Sequence, residues 1–92
     1  MNEPVVVVKL YGHLRKRKNV SRVEVQAGSV RQALLALCEG NDALWNAIKD
    51  GEKLLPYVKV MVNGHDIALK DGLETRLSSN DQIAIFPPIA GG

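Results

Sequence analysis

A chain of 92 residues has room for one domain, and a domain this short buries only about two thirds of its unfolded surface, so any enclosed pocket must be small. Hydrophobic residues make up 46% and charged residues 24%, an ordinary globular balance, and with 4% aromatics the core must be built from Val, Leu, Ile and Ala. The net charge of +2 is too slight to point to nucleic acid, and no apolar run approaches the ~20 residues of a membrane span.

Residues 5–11 are β-branched and apolar, which predicts a strand with Val6, Val8 and Leu10 on the core face and Lys9 and Tyr11 on the other. Residues 13–19 are polar and basic, and Val20, Val23 and Val25 then mark a second strand, so the pair reads as a hairpin with a charged loop. Gly28-Ser29 offers a helix N-cap, followed by Val30, Ala33, Leu34, Leu37 and Cys38 at the spacing of one helix face, with Gly40 as the left-handed stop. A second, weaker amphipathic stretch over residues 42–49 carries Leu44, Trp45 and Ile48 and ends at Asp50-Gly51. Residues 57–62 alternate as a half-buried strand, with Val58, Val60 and Val62 inward and Lys59 and Met61 outward. Asn63-Gly64 suits a type I′ hairpin turn, which makes residues 65–69 the returning strand. Asp71-Gly72 and Ser78-Ser79-Asn80-Asp81 are further turns. Residues 82–86 are the last strand, with Ile83 and Ile85 inward and Ala84 and Phe86 outward, and Pro87-Pro88 ends it because neither proline can donate a ladder hydrogen bond.

This order predicts an α+β fold, a mixed sheet curled around one main helix in the β-grasp arrangement, with the first and last strands central and parallel. Residues 1–86 form the domain and residues 87–92 a flexible tail that leaves from the middle of the sheet. Met1-Asn2-Glu3-Pro4 does not open a signal peptide, and a single cysteine, which cannot form an internal disulfide, fits a reducing and therefore cytoplasmic compartment.

The tail is the most informative segment. Gly91 and Gly92 lack a β-carbon, so they form the thinnest and most permissive stretch a chain can have, and ordering them is entropically costly. Threading into a partner's active site would justify that cost. Together with Val62-Asn63-Gly64-His65-Asp66-Ile67, Asp71-Gly72-Leu73-Glu74-Thr75-Arg76-Leu77 and Asp81, the ending Phe86-Pro87-Pro88-Ile89-Ala90-Gly91-Gly92 resembles the MoaD/ThiS sulfur-carrier family, and most closely its molybdopterin synthase small subunits. The middle segment, residues 40–57, is longer than in the shortest members.

The resemblance implies a β-grasp sulfur carrier in molybdenum cofactor biosynthesis. Its terminal Gly92, with Gly91 beside it, would be adenylated and then converted to a thiocarboxylate. It implies a MoeB/ThiF-like adenylyltransferase that uses ATP and magnesium, a cysteine desulfurase or rhodanese as sulfur donor, and a MoaE-like large subunit that holds the catalytic residues. Under this reading the chain is a sulfur-donating subunit more than a catalyst and binds no cofactor of its own. Partner contacts are expected from Tyr11, Met61 and Phe86 on the outward sheet face and from Pro87, Pro88, Ile89 and Ala90 in the tail. Delivery of sulfur to tRNA, cysteine or thiamine synthesis is open under the same chemistry, as is capture of the activated Gly92 by a lysine, as in a ubiquitin-like modifier.

The remaining features are weaker signals. Cys38 falls on the apolar helix face, where a buried inert thiol is expected rather than a sulfur source. His13 and His65 have no cysteine or carboxylate at zinc spacing, and no metal site is expected. Arg15-Lys16-Arg17-Lys18 reads as a solvated loop, or, if it binds, as a contact for an acidic partner or RNA. No membrane partner is expected, and nucleic acid is not the expected ligand.

Overall fold

A computed structural model describes residues 3–11, 22–50, 53–55 and 58–86. Strand β1, Val5–Leu10, buries Val6, Val8 and Leu10 as its alternation requires. It pairs antiparallel with β2, Arg22–Gln26, setting Val6 opposite Val25 and Val8 opposite Val23. Val20, expected in this strand, lies outside the described residues.

Helix α1, Val30–Leu37, starts where Ser29 Oγ accepts the Gln32 N–H at 3.2 Å. Gln32 Oε1 reaches back to accept the Gly28 N–H at 2.8 Å, so two amides at the helix entrance are satisfied reciprocally. The buried stripe is Val30, Ala33, Leu34, Leu37 and Cys38, as the spacing requires. Gly40, at φ +73°, follows the end of the helix in the left-handed conformation that glycine adopts without strain. Helix α2, Asp42–Ile48, is capped by Asn41, whose Oδ1 accepts the Leu44 N–H at 3.0 Å, and it buries Leu44 and Ile48. It runs directly into β3, Lys49–Asp50, which pairs with β4, Lys53–Leu54, in a small separate hairpin that no periodicity announces. Lys49 is buried there with its ammonium 4.6 Å from the centre of the Trp45 ring, a cation–π contact that compensates part of its desolvation.

Strand β5, Lys59–Val62, is shorter than expected at its start, and Tyr57 lies outside the described residues. Asn63 and Gly64, at φ +51° and +86°, make the expected type I′ turn into the returning strand, β6, His65–Asp66. The returning strand does not extend to residue 69. It is only His65–Asp66, because the Asp66 Oδ1 accepts the Ala68 N–H at 2.9 Å and turns the chain into a 3₁₀ segment, Ile67–Leu69. A second 3₁₀ segment, Gly72–Glu74, stands where the Asp71-Gly72 turn is expected. Strand β7, Gln82–Phe86, buries Ile83 and Ile85.

The main sheet has the order β2-β1-β7-β5-β6, with β7 parallel to β1 and antiparallel to β5. Both helices contribute their apolar stripes to one core cluster with the inner residues of β1, β5 and β7. This is the β-grasp fold. Its consequence for the site is that β7 is the middle strand, so the chain leaves the sheet at Phe86 between β1 and β5.

Candidate functional site on the open sheet face

With α1 on one face of the sheet, the outward residues of β1, β7, β5 and β6 form a second face. Register puts Lys9, Ala84, Met61 and Asp66 in one cross-strand row. The next row toward the tail is Tyr11, Phe86 and Lys59, where the Tyr11 N–H extends the parallel ladder by donating to the Ile85 carbonyl at 3.2 Å. The Tyr11 and Phe86 rings stack with centroids 4.6 Å apart and planes 13° from parallel. That separation is close to the spacing of adjacent strands, so two rings at matching positions on parallel neighbours lie face to face. Tyr11 remains 39% exposed, whereas Phe86, Met61 and Ala84 are half-buried. The structure thus brings together the three described residues expected to contact a partner: Tyr11, Met61 and Phe86. It adds Val7, which sequence alternation alone does not mark, because it is buried at the far end of the same face between the pairs it makes with Glu24 and Gln82.

At the β5 side, Lys59 Nζ donates to Asp66 Oδ2 at 2.8 Å. That bond, and after it the Ala68 amide, holds the Asp66 carboxyl below its ordinary value of 3.8. An open groove of about 510 Å³ lies beneath this pair, with Leu54, Val58, Ile67 and Leu73 in its walls. Lys59 and Asp66 on its edge are paired with each other, and Lys53 also lines it.

Most of the quoted motif residues turn out to be scaffold. Asn63 Oδ1 accepts the Gln82 N–H and its Nδ2 donates to Asp81 Oδ1, both at 2.9 Å, while Asp81 Oδ2 accepts the Ser78 N–H at 2.7 Å. This network ties the β5–β6 turn to the start of β7, at the end of the strand opposite Phe86. Thr75 and Leu77 pin the entrance of α1, the Thr75 carbonyl accepting from Val30 at 3.1 Å and the Leu77 N–H donating to Gly28 at 3.0 Å. Glu74 adds an ion pair with Arg31 at 2.7 Å.

Pro87, Pro88, Ile89, Ala90, Gly91 and Gly92 lie outside the described residues, as do His13 and the basic run 15–18. Cys38 is buried at the end of α1. Among the described residues no three His, Cys, Asp or Glu side chains converge as metal ligands, and no helix is long and apolar enough to cross a membrane.

The ThiS family model matches residues 8–92, a span that takes in the second half of β1, the open face apart from Val7, and the glycine ending. The chain belongs to the ThiS family. A small archaeal modifier protein 3 from Haloferax volcanii is 36% identical over 69 residues, covering 75% of this chain and 72% of that protein. A protein of Archaeoglobus fulgidus provisionally named a sulfur carrier is 40% identical over 60 residues, 65% of this chain and 67% of that one. The solution structure of small archaeal modifier protein 1 from Methanosarcina acetivorans superposes with a TM-score of 0.85 at 30% identity, covering 97% of each chain. This ThiS-family chain therefore stands among the β-grasp sulfur carriers and ubiquitin-like modifiers, proteins that work with partner enzymes such as an adenylyltransferase.

Proposed function

We propose that the carboxylate of Gly92 is the reacting group and that the open face beside it docks the enzymes that activate and use it. The observation that carries this reading is the position of β7. As the central strand, it delivers the chain at Phe86, whose ring stacks on the exposed Tyr11, and the six residues from Pro87 to Gly92 can reach up to ~20 Å beyond the sheet when extended. A partner seated on Tyr11, Met61 and Phe86 would hold Gly92 in its own active site at a high effective concentration. Pro87 and Pro88 stiffen the base of the tail, and Ile89 and Ala90 give it a small apolar grip, while Gly91 and Gly92 let the partner's backbone close around it.

The chemistry follows from the poor electrophilicity of a carboxylate. A MoeB/ThiF-like partner would join a Gly92 oxygen to the α-phosphorus of magnesium-bound ATP, with pyrophosphate as the leaving group. A sulfur nucleophile then attacks the acyl carbon and AMP departs. If the donor is a persulfide, the product is an acyl disulfide, which a second thiol cleaves to release the thiocarboxylate. In the molybdopterin synthase reading, a MoaE-like large subunit binds the acceptor and supplies the catalytic residues. The thiocarboxylate sulfur attacks the acceptor and displaces a leaving group from it, and water then cleaves the resulting thioester, leaving the sulfur on the acceptor and returning Gly92 as a carboxylate. A second reading, conjugation of activated Gly92 to a lysine amine, is supported by the two relatives named as small archaeal modifiers.

The test is intact mass spectrometry after incubation with ATP, magnesium, the cognate adenylating enzyme and a sulfur donor, with a chain lacking Gly92 as control. The expected product gains the mass of one oxygen exchanged for one sulfur, and only when Gly92 is present. An unchanged mass with an active enzyme refutes the carrier reading. Lysine-linked products in a cell extract, in place of the thiocarboxylate, would decide for the modifier.

A further inference from the structure

The cations of the open face are not equally satisfied. Lys59 is paired with Asp66 at 2.8 Å, and Arg22 lies 3.7 Å from Glu24. Lys9, half-buried on β1, stands directly opposite Arg22 on one side and Ala84 on the other. Among the described residues no carboxylate lies within ion-pair distance of Lys9. The segment 12–21, which joins β1 to β2, contains no Asp or Glu and cannot supply one. Two like charges directly opposite each other on a sheet are destabilising, and here they stand beside the apolar row that ends in Tyr11 and Phe86.

We propose that Lys9, with Arg22 beside it, is the specificity-determining cation of the docking face and receives a carboxylate from the activating partner protein as that partner covers Tyr11 and Phe86. The inference rests on the carrier reading above. Covering this row with a purely apolar or basic surface would desolvate Lys9 without a partner and leave Arg22 only its 3.7 Å contact with Glu24, which is strongly unfavourable. A partner that sets an Asp or Glu between them offsets the desolvation of Lys9 and counters the repulsion. The face therefore selects for an acidic group and against surfaces that merely match its shape.

The experiment measures ATP–pyrophosphate exchange by the purified cognate adenylating enzyme, with the carrier as varied substrate, for wild type, Lys9→Met, Lys9→Arg and Lys9→Glu. Lys9→Met keeps the apolar stem and removes the charge. It is expected to raise the KM for the carrier about tenfold with kcat unchanged. Lys9→Glu should lose more and Lys9→Arg should stay near wild type. Added salt should raise the wild-type KM more steeply than that of Lys9→Met. The melting temperature of Lys9→Met should equal or exceed that of wild type, because the repulsion with Arg22 is relieved, which separates docking from folding. A Lys9→Met KM within twofold of wild type overturns the inference and leaves the carrier reading intact. So does loss of transfer-RNA binding in Lys9→Met with its KM unchanged. Absence of exchange with wild type removes the carrier reading and this inference together.

Discussion

Replacing Tyr11 by alanine removes one ring of the 4.6 Å stack that borders the exit of the tail. Tyr11 is 39% exposed, so about three fifths of its surface is covered. A fully enclosed aromatic buries roughly 150–250 Å², which puts the area returned to water near ~120 Å². At ~25 cal/mol per Å² that is about 3 kcal/mol, and the ring–ring geometry adds ~1 kcal/mol to it. For a domain of this size the loss should lower the melting temperature by roughly 15–30 °C. Urea denaturation of wild type, Tyr11→Ala, Phe86→Ala and the double variant would isolate the stack as a coupling energy of about 0.5–1.5 kcal/mol. Tyr11→Phe, which keeps the ring, should stay close to wild type. A coupling indistinguishable from zero, or a Tyr11→Ala loss below about 0.5 kcal/mol, would refute the argument. It would mean that the rings lie side by side without holding each other, and that the exit of the tail is ordered by the backbone ladder alone.

Three further outcomes follow from local geometry. Ser29→Ala removes the oxygen that caps the Gln32 amide and should cost about 1 kcal/mol in chemical denaturation. Gly64→Ala places a β-carbon at φ +86°. It should destabilise by roughly 1–2 kcal/mol, with hydrogen-exchange protection falling at Met61 and Val62, the β5 residues that pair with β6. Asp66→Asn keeps an acceptor for the Ala68 amide but loses the pair with Lys59. Because the Asp66 carboxyl is held below its ordinary value of 3.8, its contribution is fully present above that value and lost as pH falls through the lowered one. The gap in melting temperature between wild type and Asp66→Asn should therefore be constant near neutrality and close as the pH is taken below about 4. A gap that widens on acidification would contradict the sign of the shift.

How much of this was legible in the sequence depended on how local the cause was. The Ser29 cap, the α1 stripe, the Gly40 stop and the Asn63-Gly64 turn are each decided within a few residues, and each stands where the sequence places it. The return from the turn was not legible, because β propensity over residues 65–69 competes with one side chain, and Asp66 ends the ladder after two residues by bonding the Ala68 amide. The β3–β4 hairpin, with two residues in each strand, carries no period to detect. On the open face, alternation gave the side on which Tyr11, Met61 and Phe86 lie. Only the cross-strand register showed that Tyr11 stacks on Phe86 and that Lys9 faces Arg22.

That division also accounts for why the family is easier to read than the acceptor. The quoted motif residues Asn63, Asp81, Thr75 and Leu77 hold a turn to a strand and a loop to a helix entrance, tasks that any β-grasp chain of this design must perform. The motif residues 63–81 include neither Lys9 nor Tyr11, and of them Asp66 alone bonds to the row formed by Tyr11, Phe86 and Lys59, through its 2.8 Å pair with Lys59. Carriers can share one activation chemistry at a terminal glycine while delivering to different acceptors, so discrimination must come from the docking face. The residues that build the scaffold therefore reveal the family, and the identity of the acceptor has to be sought in the pattern of charge and aromatic surface beside the tail.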